Sequence, residues 1–195
     1  MTAKRVLVFG GGTPSTALLV LSVLGERGVP RADVGFYPSV NEDSRETYQH
    51  LHSMVSWAEK RGFPLVVLGK PGLRDALETG MVVTPSVREP GAVALPTCAR
   101  VYKAEPVREF ARREFGASLV EAMLPVPFDQ ILRMKPTGLA LIENTYPLID
   151  ARLTAKDCAA VLAEHGIAAP PDSGCVFCPH KGTRFLSECE GVCGL

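Results

Sequence analysis

The sequence predicts an α/β fold, doubly wound around a mainly parallel five-stranded sheet with helices on both faces. Two observations carry that expectation. Short apolar or β-branched runs alternate with longer helical segments, and this order builds βαβ units whose right-handed crossovers give parallel strands covered by helices. The first strand pattern also runs through three glycines straight into an apolar helix, "KRVLVFGGGTPSTALLVLSVLGERG" at 4–28. With 195 residues, 46% of them hydrophobic, the chain can bury one sizeable core. A single domain is expected, with a cysteine-rich segment at about 170–195.

Taken in order, "RVLVFG" (5–10) reads as the first strand and 14–27 as the first helix. Thr13 is expected as its N-cap and Pro14 at its first position. The helix is apolar almost all round, which suits an element wedged between the sheet and its neighbours. A strand over 32–38, a helix over about 43–61 and a strand over 64–69 complete βαβαβ. The stretch 80–97 has three prolines, two glycines and no clear period, so it reads as a loop beside the site. A helix over about 103–115 and strands at 118–125 and 139–150 follow. In the helix at 154–165, Cys158, Val161 and Leu162 share one face, which makes Cys158 a small core residue.

Lysines plus arginines equal aspartates plus glutamates at 21 each, so no net field draws the chain toward nucleic acid or an anionic membrane. The apolar stretch 14–24 is too short to span a bilayer, and no secretory leader pattern opens the sequence. A cytoplasmic protein is expected. Its six cysteines are then read as reduced thiols available to metal or redox chemistry.

A strand that ends in glycines before a helix N-terminus suits an anion. The backbone can approach closely, several N–H groups converge, and the helix end is partly positive. The stretch fits neither common glycine signature, because no lysine follows the glycines and Ser15 stands where a third spaced glycine would be. What remains is Gly10-Gly11-Gly12-Thr13-Pro14-Ser15-Thr16. The competing reading is a tight corner in an open sheet.

This stretch resembles the Ser-Gly-Gly-x-Asp-Ser pyrophosphate loop of the adenine nucleotide α-hydrolase-like (PP-loop) superfamily, and the chain looks like its phosphoadenosine phosphosulfate reductase-like family. Gly11, Gly12 and Ser15 match, while Gly10 replaces the first serine and Pro14 the aspartate. "NEDSRETYQHL" (41–51) is similar to the acidic run after the family's second strand, with Glu42, Glu46, Thr47 and Tyr48 matching. The Asp-Thr-Gly that precedes that run reads Pro38-Ser39-Val40, a second lost acid. "CARVYKAEPV" (98–107) resembles the Cys-x-x-x-x-Lys-x-x-Pro segment through Cys98, Lys103 and Pro106. "LPVPFDQILRMK" (124–135) resembles a turn that carries Asp129 and Arg133. The resemblance implies an adenine nucleotide, ATP or phosphoadenylyl sulfate, held by Gly10, Gly11, Gly12, Thr13 and Ser15. Lys103 and Arg133 would be its cations.

Cys175-Val-Phe-Cys178 lets two thiolates face one centre, as a ligand pair or a redox pair. By resemblance, Cys98 joins them, with Ala99 where the family has a second cysteine. Cys189, Cys193 or His180 would supply a fourth ligand, Cys189 being the one adopted here. A 4Fe-4S cluster is expected ahead of structural zinc, with plain buried thiols as the remaining reading. The tail Cys193-Gly194-Leu195 resembles the family's mobile Glu-Cys-Gly-Leu-His, with Val192 replacing the glutamate, which implies Cys193 as a nucleophile toward sulfur. The function implied is a phosphosulfate-reductase-like enzyme of sulfur metabolism or sulfur transfer, served by a thiol reductant protein. The alternatives are a catalytically degenerate nucleotide-binding module, or an adenylating ATP pyrophosphatase that the lost acids at 14 and 38 disfavour.

Overall fold

The computed structural model describes residues 3–70, 72–73, 76, 87–89, 92–93, 100–116, 118–137, 141–172 and 175–176. The elements are β1 (Lys4–Val8), α1 (Thr13–Leu24), β2 (Val34–Ser39), α2 (Arg45–Glu59), β3 (Leu65–Gly69), β4 (Val87–Glu89) and β5 (Ala92–Val93). A π-helical turn (Arg100–Ala104) then leads into α3 (Glu105–Phe115), followed by β6 (Val120–Met123), a 3-10 segment (Phe128–Arg133), β7 (Ile142–Thr145), α4 (Pro147–Asp150) and α5 (Ala155–Glu164). Five strands form one sheet in the order β3-β2-β1-β6-β7. Every pair in it is parallel.

The period-2 alternation of the strands divides the core between two faces. Leu7 and Phe9 point to one side, where α1, α2 and α5 cover them through residues such as Leu18, Leu21, Met54 and Val161. Val6, Val34, Phe36 and Val120 point to the other, against Ala111, Val107 and Phe110 of α3. Cys158 is fully buried in the first cluster, the core position expected of it, and burial pushes its thiol up to about 11. One position in β2 leaves no room for a side chain. A Cβ on Gly35 would sit 2.9 Å from Leu65 Cδ1 and 3.0 Å from Phe63 Cε1. Gly35→Val is accordingly expected to lower unfolding free energy by about 1–3 kcal/mol in urea titration, as overpacked cores do.

Three local expectations are corrected. The N-cap of α1 is Gly12, and the helix starts at Thr13, one residue earlier than the sequence reading. Gly12 O accepts from Thr16 N at 2.9 Å and also from the Ser15 and Thr16 hydroxyls at 2.8 and 3.0 Å, so those side chains fasten the helix start that Thr13 was expected to cap. The stretch 139–150 is not one strand: β7 covers only Ile142–Thr145, and α4 begins at Pro147. Proline's fixed φ and missing N–H suit the first turn of a helix and end the ladder. Within the loop expected over 80–97, β4 and β5 pair antiparallel.

Candidate functional site

β1 lies between β2 and β6, so the chain leaves it in opposite directions on its two sides, and ligands of open α/β sheets settle at the carboxyl ends of strands at such a switch point. A pocket of about 380 Å³ opens there, on the α3 side of the sheet. Its floor is Val8, Pro38, Ala122 and Ile142, and its wall is the start of α3 with Lys103, Val107 and Arg108. Gly10 forms part of the rim, while Asp43 and Asn144 bring polar groups to the lining.

The glycine turn is built from strand end to helix start. Gly11 has φ 78°, a left-handed backbone that glycine adopts without a Cβ clash. The first N–H groups of α1, those of Thr13 and Ser15 among them, have no intrahelical acceptor and are donors for an anion; Pro14 has none to give. Ser15 is 3% exposed and its hydroxyl donates back to Gly12 O, so its side chain is spent on the helix start; Gly11, Gly12, Thr13 and Ser15 are not among the pocket-lining residues.

Behind the turn, His50 Nε2 lies 3.0 Å from Thr16 Oγ1, and Thr16 Oγ1 donates to Gly12 O. His50 is also 6.3 Å from the Phe9 ring, and burial lowers its pKa below the ordinary 6.5. A lowered pKa means the unfolded chain takes up the proton first. The His50 contribution is therefore fully present above pH 6.5 and lost as pH falls below it toward the folded-state pKa. Urea midpoints measured downward from neutral pH are expected to fall more steeply for the native protein than for His50→Gln.

Lys103 and Arg108 are half-buried on the pocket wall, and neither forms an ion pair with another described residue. Arg133 stands elsewhere: it is exposed on the 3-10 segment, its Nη1 donates to Gln130 Oε1 at 2.6 Å, and it is not among the pocket-lining residues. Arg108 and Asn144 were not legible in the sequence, and Asp43 lay inside the 41–51 run without being one of its matched positions. A helical cation reads as solvated surface until the helix is docked, and no motif marks Asn144.

Of the cysteines expected at a metal centre, only Cys175 is among the described residues; Cys98, Cys178, Cys189, Cys193 and His180 lie outside them. Cys175 forms an antiparallel bridge with Asp43, and Val176 N donates to Glu42 O at 2.8 Å. This rung brings Cys175 to the pocket's Asp43. Val40, Tyr102 and Val101 pack in the same small cluster as Cys175. Among the described residues no group of three or more histidines, cysteines or acids stands ready for a metal, and no helix is long and apolar enough to cross a membrane.

No family model and no curated protein matches this chain. A solved structure does: the U34-tRNA thiolase NcsA from Methanococcus maripaludis with its 4Fe-4S cluster, at a TM-score of 0.58 and 11% identity. The two chains share a fold. The match covers 98% of this chain and 64% of the thiolase, so the chain spans less than two thirds of that protein's length. The doubly wound, parallel five-stranded sheet with helices on both faces, expected from the alternation of strand and helix segments, is the one observed, and it is the fold shared with the thiolase.

Proposed function

We propose that the chain is an adenine-nucleotide-dependent enzyme of sulfur metabolism, acting in sulfur transfer or in phosphosulfate reduction, with a cysteine-held iron–sulfur cluster beside its nucleotide pocket. One observation carries the reading. A single pocket at the switch point joins Gly10 and Lys103 to Asp43, and Asp43 is the main-chain partner of Cys175. The fold shared with a thiolase solved with its 4Fe-4S cluster supports it.

The first N–H groups of α1 would hold phosphate oxygens, with Lys103 as a point charge beside them. The apolar floor would take a flat base. The cluster residues would be Cys98, Cys175, Cys178 and Cys189. The position of Cys175 fits such a group: it is half-buried beside the pocket's Asp43, among Val40, Val101 and Tyr102, the last two closely following Cys98 in sequence. A bound cluster supplies electrons or an iron site that holds sulfur. In the reductase form of the reading, the Cys193 thiolate attacks the sulfonate sulfur and the bond from sulfur to the nucleotide oxygen breaks. A thiol reductant then releases sulfite and leaves a disulfide.

The test is protein purified without oxygen. About four irons per chain with a broad visible band are expected, falling below about one in Cys175→Ser. Stoichiometric zinc with no visible band would overturn the cluster and favour a second reading, a nucleotide-binding module held together by zinc. That reading has its own observation, the prolines at 14 and 38 in place of family acids. Release of sulfite from phosphoadenylyl sulfate with a thiol donor, lost in Cys193→Ser, would select the reductase form.

A further inference from the structure

Position 38 lines the pocket, so the acid that the family pattern places there would face the ligand; here it is Pro38. The pocket lining nevertheless includes an acidic residue, which lies within the 41–51 run without being one of its four matched positions. Asp43 is only 9% exposed and lines the same pocket as Gly10 and Lys103. Its Oδ2 accepts a hydrogen bond from the Tyr37 hydroxyl at 2.7 Å. Its Oδ1 has no partner among the described residues, and Asp43 makes no salt bridge with any of them. Among the described residues no buried side-chain oxygen is left without a hydrogen bond, so the unpartnered Oδ1 is open to an incoming ligand, and a carboxylate oxygen of this kind suits a hard cation. Burial and the Asp43 charge hold the Tyr37 phenol well above the ordinary tyrosine range, so Tyr37 remains a neutral donor that fixes one oxygen and leaves the charge in place.

We propose that Asp43, oriented by Tyr37, is the protein ligand of a magnesium ion that enters with the nucleotide's phosphates, replacing the acids absent at positions 14 and 38. Magnesium suits this arrangement, because it keeps most of its waters and takes one or two carboxylates together with substrate phosphates rather than a full protein cage. Gly10, the first residue of the glycine turn, and Lys103 line other parts of the same pocket and would meet the phosphates there. The proposal rests on the nucleotide reading above and deepens it. With a magnesium ligand present, a metal-bound triphosphate returns as a substrate class.

The experiment is calorimetric titration of ATP into the full chain, in EDTA and in excess magnesium. Native protein is expected to bind ATP about tenfold more tightly with magnesium. Asp43→Asn should lose that difference while binding metal-free ATP as well as the native protein or better, because a charge facing phosphate has gone. Tyr37→Phe keeps the carboxylate but removes the bond that orients it, and should weaken the magnesium response without abolishing it. Thermal melts establish that each variant is folded, and if Asp43→Asn is not, Asp43→Ser takes its place. Native protein that binds ATP without any magnesium response overturns the proposal and leaves the nucleotide reading standing. So does an equal loss in Asp43→Asn with and without metal, which would mean that the carboxylate touches the nucleotide itself. Absence of ATP binding in both buffers overturns both.

Discussion

Phe36→Ala is expected to cost about 3–5 kcal/mol of unfolding free energy, the range for truncating a buried aromatic side chain. Phe36 is fully buried at the centre of β2, and its ring lies 4.3 Å from that of Phe110 on α3. Val6, Val34, Ala111 and Val120 complete the cluster. Those contacts are what dock α3 on its face of the sheet. Arg108 lies in the first turn of α3 and Lys103 in the π-helical turn that leads into it, so the variant should lose nucleotide affinity along with stability. Urea titration reads the first effect and calorimetry the second. A loss below about 1 kcal/mol would mean that α3 does not rest on this ring.

Lys103→Glu is the second large effect. A cation lining the pocket with no ion pair among the described residues is free to serve the ligand, and a charge-assisted bond to phosphate contributes about 1.5–3 kcal/mol. Reversal of that charge is expected to weaken adenine-nucleotide binding by at least about tenfold. Arg133→Glu is the informative contrast. Arg133 is exposed, engaged with Gln130 and outside the pocket lining, so its reversal is expected to change affinity by less than about threefold at physiological salt. Equal losses in the two variants would bring Arg133 to the ligand after all.

The strand and helix order was legible because the alternation of apolar runs is a local signal, and each main-sheet strand falls within or overlaps its expected segment. The glycine turn was legible for the same reason: strand, glycines and helix are consecutive. What the sequence concealed depends on contacts between distant segments. Asp43 reads as one more acid in the polar "NEDSRE" run until β2 sets Tyr37 beside it. Arg108 becomes a pocket residue only when Phe110 meets Phe36 across the sheet face. Ser15 matches the motif by type, yet the direction of its hydroxyl follows from the Gly12 carbonyl at the helix start. The split of 139–150 into β7 and α4 was present in the sequence as Pro147.

Pro38 has a further consequence. It sits within β2, paired with Leu68 of β3, on a strand flanked on both sides. Alternate residues of a strand direct their main-chain groups to alternate neighbours: Gly35 N reaches Pro64 O on the β3 side, and Phe36 O accepts from Phe9 N on the β1 side. Pro38, two residues after Phe36, therefore turns its nitrogen toward β1, at the level where β1 has given way to Gly10. It has no hydrogen to offer there. The two strands are like a zip with a tooth removed: they can close as far as Phe36 and no further, and the gap beyond is where a ligand can enter.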